Sequence, residues 1–132
     1  MIIFTTTLRT YLDPDLIITH APQSPYFTTN SSIYLRGGYL AVHQAVGSII
    51  DFYNIQFYNQ GVGTYDNAER LFNVSGNWAP GSSVNEMIAS GVDATKIVIG
   101  KPATGGDANN GWMSGADINA AIAANHPYNG WK

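Results

Sequence analysis

The sequence predicts an α/β fold in which short parallel strands alternate with helices. Three observations carry that prediction. Apolar residues recur with helical and strand periods in turn, giving the order helix, strand, helix, strand, helix, strand, helix. The strand starts fall near residues 16, 53 and 96, and strands alternating with helices read as right-handed βα units around a parallel sheet. Each strand closes in polar residues followed by Gly or Pro and a loop, the place where α/β folds gather function.

Taken in order, residues 2–12 (IIFTTTLRTYL) place Ile2, Phe4, Leu8 and Leu12 near one helical stripe, and Asp13-Pro14-Asp15 ends it, because Pro disfavours helix at the preceding residue. LIITHAPQ (16–23) reads as an apolar strand broken by Pro22. A Ser-, Thr-, Asn- and Gly-rich loop follows to Gly38, then a helix over GYLAVHQAVGSII (38–50). The second strand spans about 52–59, and a long loop runs from Gln60 to Gly81. Ser83-Val84-Asn85-Glu86 is a capping-box pattern that opens a helix ending near Gly91, a plausible C′ residue. TKIVIGKPA (95–103) is the third strand, and Ser114-Gly115-Ala116-Asp117 caps the last helix, DINAAIAAN (117–125).

Composition narrows the function. The chain has 132 residues, enough for one domain, of which 45% are hydrophobic and only 11% charged, against about 25% charged in an average domain. A net charge of −3, with basic residues scattered at Arg9, Arg36, Arg70, Lys96, Lys101 and Lys132, argues against nucleic acid. There is no apolar run of about 18 residues to span a membrane, and the start MIIFTTTLRTYL has no basic region or small-residue cleavage site of a signal peptide. With no cysteine, disulfides and thiolate metal sites are excluded. The glycosylation sequons at Asn30 and Asn73 fall in predicted loops and fit a secreted, extracellular protein.

The second strand, FYNIQFYNQG (52–61), is the most informative stretch. Side chains alternate across a strand, so Tyr53, Ile55 and Phe57 share one face while Asn54, Gln56 and Tyr58 share the other. An open α/β sheet meets helices on both faces and should be apolar on both. A closed barrel accounts for the polar stripe: its apolar face meets outer helices and its polar face lines the upper lumen. Buried amides need partners, which a polar ligand of sugar type supplies; neighbouring strands supply them equally well.

DLIITHAPQSPYF (15–27), GGYLAVHQAVGSIIDFYNIQFYNQG (37–61) and ASGVDATKIVIGKPAT (89–104) together resemble glycoside hydrolase family 18 chitinases, most of all the fungal and plant class III type. The resemblance runs over nearly all of the chain, and APQ, IQFYNQG and IGKPA are its specific strings. It implies a partial (β/α)8 TIM barrel over residues 1–132, holding about strands 5–7 with their helices, with GWK stopping short of the eighth strand. It further implies recognition of chitin or N-acetylglucosamine oligosaccharides without a cofactor, with Tyr58 holding the substrate's acetamido group and Gln23, Gln56, Asn59 and Trp112 lining the cleft.

One part of the family pattern is missing. The family's acid is a Glu in a D-x-x-D-x-D-x-E motif at the end of the fourth strand, and the only glutamates here are Glu69 and Glu86. That family uses substrate-assisted catalysis, an exception to the two-carboxylate scheme; Tyr58 alone cannot replace an acid worth typically about 10²–10⁴-fold. The expected partners are therefore a chito-oligosaccharide and a second polypeptide, a homo-oligomer or the missing barrel half that covers the open sheet edges. A lectin-like half barrel and a part of an active chitinase are the alternatives.

The remaining candidates have simpler readings. Asp51 stands at a strand start, away from such a site, and reads as a turn residue. Tyr26 is a loop aromatic that either meets sugar or packs under its loop, and the same choice holds for Trp112. His20 and His43 lack a carboxylate at ligand spacing, so no metal is expected. Lys101 ends a strand, where a surface or loop-bonding role outweighs that of a nucleophile. The alanines at 120, 121, 123 and 124 reflect helix propensity and close packing.

Overall fold

The computed structural model describes residues 1–29, 34 and 38–129. Its elements are α1 (Ile2–Tyr11), β1 (Thr19–His20), α2 (Gly38–Val46), β2 (Phe52–Gln56), α3 (Ala68–Phe72), α4 (Val84–Ala89), β3 (Ile97–Gly100) and α5 (Gly115–Asn129), with 3-10 turns at Ser24–Phe27, Gly47–Ile49 and Ala94–Lys96. The strands form a three-stranded sheet in the order β1-β2-β3, and both pairings are parallel. The α/β class and the parallel sheet follow the sequence expectation.

β2 is the centre of the domain. In register, Tyr53 lies opposite His20 on one side and Ile97 on the other, and Ile55 lies opposite Ile99. Tyr53, Ile55 and Phe57 are fully buried, whereas Asn54 is exposed and Gln56 and Tyr58 are half-buried. The alternation therefore sorts one face into a core with Phe27, Leu40, Val46, Phe72 and Met87 and leaves the amide and phenol face open.

At the amino ends of the strands a charged clamp sets the register. Asp51 accepts from the Ile18 amide (2.7 Å) and from Arg9 (3.1 Å), and Arg9 also donates to the carbonyls of Leu16 (2.8 Å) and Ile49 (3.1 Å). The Ile18 amide bond, with help from Arg9, holds the Asp51 carboxyl below its usual range against the opposing effect of burial. Asp51 is thus a structural residue at the end of the sheet away from the strand tips, as its position in the sequence suggested.

Several sequence expectations need correction. β1 is two residues rather than eight: Leu16 and Ile17 are exposed, Arg9 takes the Leu16 carbonyl, and Pro22 has no N–H to give. The chain rejoins the sheet only at Gln23, through an isolated parallel bridge to Gln56. Only part of the predicted α1 stripe turns inward: Leu8 and Leu12 are half-buried, while its first half is not. Ile2, Ile3 and Phe4 are exposed, and the residue buried against the sheet is Thr5, whose hydroxyl donates to the Met1 carbonyl (2.9 Å) and meets His20 Nε2 at 3.2 Å. The region 60–81 is not all loop. It contains α3, capped by Asn67, whose side chain accepts from the Arg70 amide at 2.9 Å; a helix of five residues is too short for its period to show.

The predicted capping residue Glu86 accepts from the amides of Ser83 (3.0 Å) and Ser75 (3.1 Å) and from the Ser75 hydroxyl (2.7 Å). Burial alone raises its pKa, but these bonds outweigh it and the carboxyl lies below its usual range. α4 then closes at Ser90, with Gly91 following as expected.

His20 and His43 serve packing, His20 edge-on to Tyr39 and Tyr53. His43 Nδ1 lies 3.0 Å from the Tyr53 hydroxyl, and its Nε2 accepts from the Asp93 amide at 3.3 Å. Among the described residues no three His, Cys, Asp or Glu side chains come together as metal ligands. The Asn73 sequon ends α3 with its Nδ2 donating to Glu69 at 2.7 Å; the Asn30 sequon and the terminal GWK lie outside the described residues. No described helix is long and apolar enough to cross a membrane.

Ile55 sits at the centre of the central strand with no exposed surface. Ile55→Ala is expected to destabilise the domain by roughly 2–5 kcal/mol, read as a lower midpoint in urea unfolding with the slope unchanged.

Candidate functional site

Because all strands are parallel, their carboxyl ends share one edge, and the polar row of β2 arrives there. Gln56 Nε2 donates to the Ala21 carbonyl at 2.7 Å, and its backbone amide donates to Pro22 at 2.9 Å. With the bridge to Gln23, these contacts join the end of β1 to the end of β2. Gln23, Gln56 and Tyr58 are brought to one edge, with Asn54 further down the same open face.

The turn after β2 is fastened to the loop after β3. Asn59 has a left-handed backbone, φ 61°. Its side-chain oxygen accepts from the Asn109 amide (2.8 Å), and the Gln60 amide donates to Asn110 Oδ1 (2.9 Å). Gly111 lies against the backbone of Tyr58: a Cβ there would be 2.8 Å from Tyr58 Cα, and its φ is +85°. The Asn59 carboxamide therefore works in part as a loop tie, while Trp112, the residue after this contact, is 43% exposed.

Above the core a buried hub connects the loops that follow all three strands. The Tyr65 hydroxyl accepts from Ser24 at 2.7 Å and pairs with the Ser82 hydroxyl, which in turn donates to the Ala79 carbonyl. The Tyr65 ring meets Phe57 edge-on, with centroids 5.3 Å apart. Lys101 Nζ donates to the carbonyls of Tyr65 (2.7 Å) and Phe57 (3.2 Å). Burial pushes the Tyr65 phenol up to about 12, against the opposing bonds from Ser24 and Ser82, and pulls the Lys101 amine down to about 8, against the pull of Asp66. Lys101 is the loop-bonding residue its place in the sequence suggested.

The other aromatics divide. Tyr26 is half-buried, edge-on to Tyr34 at 5.1 Å and stacked on Tyr39 at 6.4 Å. Trp78, which sequence reasoning passed over, is 76% exposed and lies directly on Gly61, the residue that ends the FYNIQFYNQG stretch. A lone Trp in a loop carries no periodic signal. A cavity of about 420 Å³ lies elsewhere, between the start of α3 and α5, lined by Asp66, Ala68, Met113, Asp117, Ala121 and Ala124. It includes none of Gln23, Gln56, Tyr58, Asn59 or Trp112.

Among solved structures, the chain is similar to a GH18 chitinase from Pseudoalteromonas aurantia, with a TM-score of 0.74 and 30% sequence identity over 98% of this chain and 43% of that one. The chain thus spans less than half the length of that chitinase. No family model matches it, and no curated protein matches it. The likeness defines a GH18-like, chitinase-like α/β domain.

Lys101 yields a pH signature. Its amine titrates near 8 in the folded chain and ordinarily at 10.5, so between these values the unfolded chain holds the extra proton and stability rises with pH. Above about pH 10 the raised Tyr65 phenol reverses the sign. Thermal melts of the wild type from pH 7.5 to 10 are expected to rise with a component that Lys101→Met removes.

Proposed function

We propose that this domain is a partial (β/α)8 TIM barrel of GH18 type, corresponding to strands 5–7 of the class III arrangement, that recognises chitin or N-acetylglucosamine oligosaccharides and does not hydrolyse them alone. The observation that carries this reading is the polar edge itself: Gln23 is bridged to Gln56 at the strand tips, with half-buried Tyr58 two residues further along the same open side, opposite the buried core face. Amides and a phenol at such an edge suit hydroxyl and acetamido groups, and the likeness to a chitinase supports the choice of sugar.

The glutamates present argue for binding without hydrolysis. Glu86 is held by three hydrogen bonds with its pKa below the usual range, so near neutral pH it has no proton to give a leaving group. Glu69 is occupied with Asn73 at 2.7 Å, in α3 on the surface. Tyr58 positions an acetamido group, and an acid supplied by another polypeptide completes the chemistry.

A second reading, in which the domain pairs with a missing barrel half or with its own copy, is favoured by one observation. Phe4, Leu16 and Ile17 are exposed large apolar side chains beside β1, which stands at the sheet edge. An uncovered strand edge with apolar neighbours is an association surface.

Calorimetric titration of the pure chain with N-acetylglucosamine hexamer is expected to show binding that Tyr58→Phe weakens several-fold, the roughly 0.5–1.5 kcal/mol of one hydrogen bond. Reducing-sugar release from chitin should stay at background. Robust hydrolysis by the chain alone contradicts the reading, and so does the absence of hexamer binding.

A further inference from the structure

We infer that Trp78 is a second ligand contact of this domain, an indole held out to stack on a pyranose ring of the same oligosaccharide that meets Tyr58. This rests on the carbohydrate reading above and extends it by naming a contact beyond the end of β2.

A single exposed aromatic is common and by itself means little. Trp78 differs in how it is held. Its loop is built from residues that are themselves buried: Ser75, Ala79, Ser82 and Ser83 all have little or no exposed surface. Glu86 ties Ser75 and Ser83. Ser82 is bonded to Tyr65 and to the Ala79 carbonyl, and the Ala79 amide closes a turn onto the Gly76 carbonyl at 3.1 Å. The bonded loop therefore presents a 76% exposed indole, and little backbone freedom remains to be lost when a ligand stacks on it.

The position of the indole is also set. Gly61 follows Asn59 and Gln60 in the turn that ends the Tyr58 strand, and its φ is +91°. A Cβ on Gly61 would lie 2.4 Å from Trp78 Cγ and 2.6 Å from Cδ1. The base of the indole thus rests on the turn that carries Asn59, at a residue three positions beyond Tyr58, the last side chain of the polar row. On the other side of that turn, Gln60 is bonded to Asn110, next to Gly111 and the half-exposed Trp112. The axial C–H face of a pyranose is apolar and suits the negative face of an aromatic ring.

The test uses the whole 132-residue chain, titrated with N-acetylglucosamine hexamer and followed by tryptophan fluorescence and calorimetry, with thermal melts as a folding control. Trp78→Ala is expected to weaken hexamer binding roughly 3–10-fold and to abolish most of the fluorescence change, with the melting temperature nearly unchanged. Trp78→Phe, which keeps an aromatic face, should recover most of the affinity. If Tyr58→Phe weakens binding while Trp78→Ala binds like wild type, the role of Trp78 is overturned and the carbohydrate reading stands. If the wild-type chain binds no hexamer, both are overturned.

Discussion

The structure depends on one constraint above the core: Tyr65, a bulky residue at φ 62°, held by Lys101 through its carbonyl and by Ser24 and Ser82 through its hydroxyl. A left-handed non-glycine backbone costs on the order of 1–3 kcal/mol and persists only where its surroundings impose it. Here the ring is fully buried against Phe57 and both polar ends are bonded, so the strain is fixed by contacts on every side. Ser24 belongs to the segment after β1, Tyr65 and Ser82 to the segment after β2, and Lys101 to the end of β3. One side chain and one cation therefore set how the loops at the strand tips meet.

Below that hub, β2 separates two environments. Its apolar face is complete within this chain, closed by α2, α4 and the Phe27 and Phe72 side chains. Its polar face is not covered in the same way, and Asn54 stands exposed on it. α1 repeats the asymmetry, burying Thr5 while Ile3 and Phe4 face out. The domain has a finished core and two unfinished surfaces, one polar and one apolar. Those surfaces motivate, respectively, the proposed sugar contact and the proposed second polypeptide.

Much of this was legible in the sequence where a feature is local. The alternation of β2 follows from period-2 chemistry, the α4 start from Ser83 and Glu86, and the structural roles of Asp51 and Lys101 from their places at strand ends. What was not legible depends on distant partners. Nothing near residue 16 announces that Arg9 takes the Leu16 carbonyl and that β1 begins only at Thr19. The apolar stripe of α1 has a helical period whichever way it faces, and its orientation is decided by the Thr5–His20 contact. Trp78 was invisible because its placement depends on Gly61, seventeen positions earlier. The meeting of Gln23 with Gln56 was implied by likeness to chitinases, and the geometry that produces it, the Gln56 bond to Ala21, spans separate strands.

The most direct test of the hub is amide hydrogen exchange in Tyr65→Phe. Removing the hydroxyl strips Ser24 and Ser82 of a partner without disturbing the ring on Phe57. The amides of Asn59, Gln60 and Asn109, which tie the loops to one another, should lose protection, while the β2 amide of Ile55 in the sheet core keeps its own. If the loop amides exchange as slowly as in the wild type, Tyr65 does not organise this face, and the account of how the site is held together is wrong.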